Sequence, residues 1–111
     1  MTEPCDLPAL EARRLIGAKK LSPVELLDST LKRIEAVNPA VNAVVAIDER
    51  ARGWAKEAES AVMRGDRLGL LHGLPIGIKD LEETEDLVTT FGSPIFKDNV
   101  PKADLSSVAR I

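Results

Sequence analysis

The chain has 111 residues, 44% of them apolar and 30% charged, and a net charge of −3 from 15 basic and 18 acidic residues. This is the composition of a soluble globular domain or a piece of one, and it excludes a disordered tail. The acidic balance argues against a nucleic-acid surface, which needs a basic stripe, and no apolar window reaches the roughly 18 residues of a membrane span. Arg13-Arg14 and Lys19-Lys20 read as solvated helix and turn positions more readily than as phosphate contacts. The N-terminal MTEPCDLPAL lacks the charged and apolar regions of a secretory signal, and a single cysteine, Cys5, cannot form an internal disulfide. Together these predict a reducing, cytoplasmic setting.

In chain order, Asp6 is the expected cap of a first helix carrying Ala9, Ala12, Leu15 and Ile16 and weakened at Gly17. Ser22-Pro23-Val24-Glu25 is a stronger start, with a cap residue, a proline at the first helical position and a glutamate two residues further on. The helix it opens should bury Val24, Leu27, Leu31 and Ile34 and stop at Asn38-Pro39. Val41 to Ile47 alternates as a strand, apolar on both faces. Asp48 can cap a third helix, striped by Ala51, Trp54, Ala55, Ala58, Ala61 and Val62 and closed at Arg64-Gly65.

After a loop from Gly65 to Gly73, the run LHGLPIGIKD ends in a second strand. Its period of two puts Ile76 and Ile78 on one face, Gly77 and Lys79 on the other. Residues 81 to 101 carry no helical periodicity, and a turn is expected at Gly92. Asp104 is the expected cap of a last helix, on which Leu105, Val108 and Ile111 start an apolar stripe. The chain stops within that pattern, so the sequence reads as cut short. The expected fold is α/β, a mixed β-sheet layered between helices and incomplete, in one domain over 1–111. Residues 1–65 form its helical region with one strand, and 66–111 its lysine-bearing strand, loop and helix start.

Metal ligation is disfavoured, since His72 and Cys5 are the only residues of their kinds. No glycine-rich nucleotide loop is present. The acidic run Glu82 to Asp86 lacks calcium-loop spacing and reads as a solvated loop. Lys79 carries two readings. Burial would force it to pair or to lose its proton, and a neutral lysine can act as a base. Alternatively it is a solvated strand end paired with Asp80 or Glu82.

The joint order of LHGLPIGIKD, TTFGSP and DLSSVARI resembles the N-terminal part of the amidase signature family. That family shows HG-[VLI]-P-x-x-[VI]-K-D, then T-T-x-G-S, then D-x-x-x-V-x-R at a helix start. The stretch SPVELLDSTLKRIEAVNPAVNAVV also resembles its second helix and first strand. The resemblance implies hydrolysis of carboxylic amides to acid and ammonia by a Ser–cis-Ser–Lys triad. Lys79 falls at the position of the catalytic lysine, and Thr90, Gly92 and Ser93 at a wall of the substrate pocket, with Thr89 beside them. His72 matches a family position whose expected role is loop packing.

The serine-rich segment that would carry the bridging and nucleophilic serines is absent, and Ser93, Ser106 and Ser107 do not replace it. Leu81 stands where the family often has asparagine. The resemblance therefore implies a chain inactive alone, without cofactor or metal. Its partners would be the remainder of an amidase carrying the two serines and a small amide substrate, with no nucleic acid and no membrane, and a homodimer remains open. Two alternatives stand beside this: the glutamine-hydrolysing subunit of a tRNA-dependent amidotransferase, and a truncated non-catalytic domain.

Overall fold

A computed structural model describes residues 2–111. The chain divides into two compact units, Met1–Val44 with Glu49–Pro75, and Val45–Asp48 with Ile76–Ile111.

The first unit opens on a 3₁₀ turn, Pro4–Asp6, in which the Asp6 carboxylate accepts the Glu3 N–H at 3.1 Å. Asp6 thus closes this turn instead of capping the first helix. That helix, α1 (Ala9–Gly17), starts after an extended Pro8. Helix α2 (Pro23–Val41) starts where the local chemistry demands. The Ser22 hydroxyl accepts the Val24 N–H at 3.0 Å, and Glu25 reaches back to the Ser22 N–H at 3.3 Å. Together they satisfy donors that a helix start leaves without partners. Replacing Ser22 with alanine is expected to cost about 1 kcal/mol, read as a lower urea midpoint at unchanged slope. An unchanged midpoint would show that the cap contributes nothing.

The expected stop at Asn38-Pro39 is corrected. The helix runs through Pro39 and ends at Asn42, which adopts left-handed φ 50° and donates its N–H to the Asn38 carbonyl at 2.7 Å. Proline costs one backbone donor, but the turn beyond it is closed by this bond. Helix α3 (Ala51–Arg64) closes at Gly65, where φ is 77°. Its apolar stripe loses Trp54, which is half exposed beneath the Arg50 guanidinium, 5.0 Å from the ring centroid. A core of Ala12, Ile16, Leu21, Leu26 and Val62 joins α1, α2 and α3, with Leu7, Leu15, Leu68 and Leu74 packed on it. Leu26, not predicted as a core residue, is buried, while Leu31 and Ile34 are only half-buried.

The mixed β-sheet layered between helices is not observed. Among the described residues there is no strand; of the two predicted ones, Val41 to Ile47 is helix at Val41, left-handed at Asn42 and irregular beyond, and the run ending at Lys79 is turn and irregular backbone. Alternation states where side chains point, but a strand exists only when its backbone groups pair with another strand. At Val44 those groups are already taken. The Asn38 side-chain amide accepts the Val44 N–H and donates to the Val44 carbonyl, both at 2.8 Å.

The second unit is irregular apart from a 3₁₀ turn, Pro94–Phe96, and a short helix α4 (Ser106–Ala109). Leu105 stands at the N-cap of α4. Asp104, the expected cap, instead accepts the Glu85 N–H at 2.7 Å. No helix among the described residues is long and apolar enough to cross a membrane.

Candidate active site

The residues singled out from sequence around Lys79 lie in the second unit, and the backbone brings the 79–80 pair to the 90–92 turn. Asp80 makes the connection. Its Oδ1 accepts the Thr90 N–H at 2.7 Å, and its Oδ2 accepts the Thr90 hydroxyl. Its carbonyl accepts the Phe91 N–H at 2.9 Å. Phe91 and Gly92 both have left-handed backbone, φ 54° and 71°. Glycine takes this conformation without strain, whereas Phe91 is held in it by the bond to Asp80 and by edge-on packing against Phe96, with centroids 5.2 Å apart. The Thr90 hydroxyl also accepts the Gly92 N–H at 3.3 Å.

The Thr90 hydroxyl, and then the Thr90 N–H, hold the Asp80 carboxyl below its ordinary value of 3.8. Because the folded value is lowered, the stabilisation is full above the ordinary value and disappears as pH falls through the folded one. Amide protection at Thr90 and Phe91 is therefore expected to drop in acid below about pH 4. The Asp80→Asn variant should lack that acid-dependent drop, which exchange measurements across pH will read; an identical drop in the variant would assign the effect to another group.

Lys79 is exposed and forms no ion pair among the described residues. The pairing with Asp80 or Glu82 foreseen as one reading does not occur. Asp80 is occupied by Thr90, and Glu82 accepts the Ser107 hydroxyl at 3.2 Å. The lysine backbone is nevertheless anchored, its carbonyl accepting the Glu82 N–H at 3.0 Å.

Ser93 turns its hydroxyl to the Ile95 N–H at 3.3 Å and so caps the 3₁₀ turn. Thr89 is almost fully buried, at 2% exposure. Its N–H goes to the Asn99 carbonyl, and the Asn99 side chain donates to the Thr89 carbonyl, both at 2.9 Å. The acidic run is tied to the chain's end through the Glu83 carbonyl and Leu105 N–H at 2.9 Å, and through the Asp86 N–H and Pro101 carbonyl at 3.0 Å. In the first unit, the His72 ring is bonded to the Ala58 carbonyl at 2.9 Å.

Sequence reasoning passed over Asp80 as anything but a counter-ion, and did not single out Asn99. The K-D pair was the available signal for Asp80; Asn99 had none. Among the described residues no cluster of three or more His, Cys, Asp or Glu is arranged to hold a metal ion.

Lys79 thus stands solvent-facing and outside any ion pair among the described residues, next to a backbone fixed by the Asp80 carboxylate and Thr90. The family model described as Amidase matches residues 25–111. The chain belongs to the amidase family. It is 44% identical over 102 residues to one of the subunits of the glutamyl-tRNA(Gln) amidotransferase of Bacillus pumilus, covering 91% of this chain and 21% of the relative. An acylamidase of Rhodococcus erythropolis is 37% identical over 106 residues, covering 95% and 22%. A solved structure, described as part of a vestigial protein complex bearing on the origins of an s-triazine catabolic enzyme, superposes with a TM-score of 0.89 at 29% identity. That match covers 94% of this chain and 23% of the other. The chain thus spans about a fifth of the length of the relatives it matches.

Proposed function

We propose that this chain contributes to an amidase that hydrolyses carboxylic amides to acid and ammonia, and that its contribution is Lys79 as the base of a Ser–cis-Ser–Lys triad. The supporting observation is that the family match over 25–111 takes in Lys79 together with the LHGLPIGIKD and TTFGSP runs. In this reading the neutral Lys79 amine takes a proton from a bridging serine, which takes one from the nucleophilic serine. The nucleophile attacks the amide carbonyl to form an acyl-enzyme, and the proton leaves with ammonia; water then cleaves the acyl–serine ester, releasing the acid and restoring the serine hydroxyl.

The partners are the segment carrying the two serines and a small amide, in the cytoplasm, with residues 1–111 as part of one amidase domain. Thr90, Gly92 and Ser93 then line the substrate pocket. Similarity to the glutamyl-tRNA(Gln) amidotransferase protein supports a second reading, in which the amide is that of glutamine.

The deciding experiment assays ammonia release by the protein joined to the two-serine segment, with simple amides and with glutamine, for wild type and Lys79→Ala. Activity that depends on Lys79 supports the triad, and the preferred substrate separates the two readings. Full activity in Lys79→Ala overturns both.

A further inference from the structure

Lys79 receives no guidance from its own side chain, which is exposed and joined to no carboxylate among the described residues. A base that must take a proton within hydrogen-bond reach needs a fixed origin. The backbone provides one. On the C-terminal side of Lys79, three hydrogen bonds run from Asp80 to Thr90 and Phe91, while the Lys79 carbonyl holds the Glu82 N–H at 3.0 Å.

We infer that Asp80 and Thr90 form a positioning clamp for Lys79, in which the carboxylate acts as an anchor and not as the lysine's counter-ion. This inference rests on the reading of Lys79 as the base.

The geometry separates anchor from counter-ion. Each carboxylate oxygen of Asp80 is engaged by Thr90, one by its N–H and one by its hydroxyl. With both oxygens so engaged, the carboxylate forms no ion pair with the Lys79 amine. The same hydroxyl accepts the Gly92 N–H at 3.3 Å, so the clamp and the shape of the 90–92 turn are set together. Beside its place in the proposed pocket wall, Thr90 acts here through the backbone. A residue that merely lined the pocket would act on the substrate.

The test uses the complete amidase with the two-serine segment present. Thr90→Val, which keeps the backbone N–H but removes the hydroxyl, is expected to lower kcat about tenfold with KM within about twofold, and Thr90→Ser to recover most of that loss. Asp80→Asn, which retains one acceptor oxygen for the Thr90 N–H, should lose less kcat than Asp80→Ala. A rise in KM at unchanged kcat in Thr90→Val would make Thr90 a wall residue and overturn the clamp. Equal activity of Thr90→Val and Thr90→Ser would overturn it as well. Should Asp80→Ala fail to fold, as circular dichroism would show, the two Thr90 variants decide alone. Lys79→Ala run in parallel separates the outcomes: if it stays active, the triad reading fails, whereas an inactive Lys79→Ala beside a fully active Thr90→Val defeats only the clamp.

Discussion

Replacing Lys79 with alanine in the complete two-serine enzyme is expected to lower kcat by about a thousandfold or more with little change in KM. Losses of this size follow when one member of a set acting as a unit is removed. The reason is specific to the base. In the proposed triad, loss of the base leaves the nucleophilic serine its proton, and a protonated hydroxyl attacks an amide carbonyl poorly. Lys79→Arg sharpens the experiment, because guanidinium carries the same charge yet does not deprotonate in proteins. It should be as inactive as Lys79→Ala. If arginine sustains activity, the residue serves as a fixed positive charge and the general-base role is wrong. Since only the neutral amine accepts a proton, the wild-type rate should also fall on the acid side of its pH profile.

The second large effect belongs to stability. Ile16 has 0% exposure and lies among Ala12, Leu21, Leu26 and Val62. Ile16→Ala is expected to destabilise the chain by about 2–5 kcal/mol, the sum of lost transfer energy and an incompletely collapsed cavity. That is a large share of the roughly 5–15 kcal/mol that holds a domain folded. Urea unfolding followed by circular dichroism should show a lowered midpoint, with Ile16→Val costing only about 0.5–1.5 kcal/mol. Equal midpoints for alanine and valine would mean that the site relaxes around the gap.

Gly73 adds a constraint to the same core. Its φ is 80°, and a Cβ there would stand 2.9 Å from Pro23 Cγ and 3.2 Å from Ile16 Cδ1. The glycine of the HG pair is thus explained by close packing against α1 and α2. It needs no part in chemistry.

What could be read from the sequence was what adjacent residues decide among themselves. Ser22 and Glu25 announce the start of α2 because cap and glutamate bond within one turn. Gly65 announces the end of α3 because a left-handed residue there favours glycine. The strands were misread because alternation is a property of one segment and pairing a property of two. Trp54 was misplaced because the spacing that puts it on the apolar stripe carries no information about Arg50 covering its ring. Around the candidate site, Lys79 could be picked out beside the other family segments, yet its clamp could not. Asp80 and Thr90 are ten positions apart, and nothing local marks them as partners.

The paired bonds between Asn38 and Val44 carry a consequence for how the chain meets other chains. In extended backbone, the N–H and carbonyl of one residue point to the same side. By taking both at Val44, the Asn38 amide closes a slot where a foreign peptide would otherwise begin to zip on. The adjoining Val45 and Ile47 are solvent-facing apolar residues of the kind that draws such association. Asn38 therefore leaves neither backbone group of Val44 open to another chain, while the side chains beyond it stay exposed.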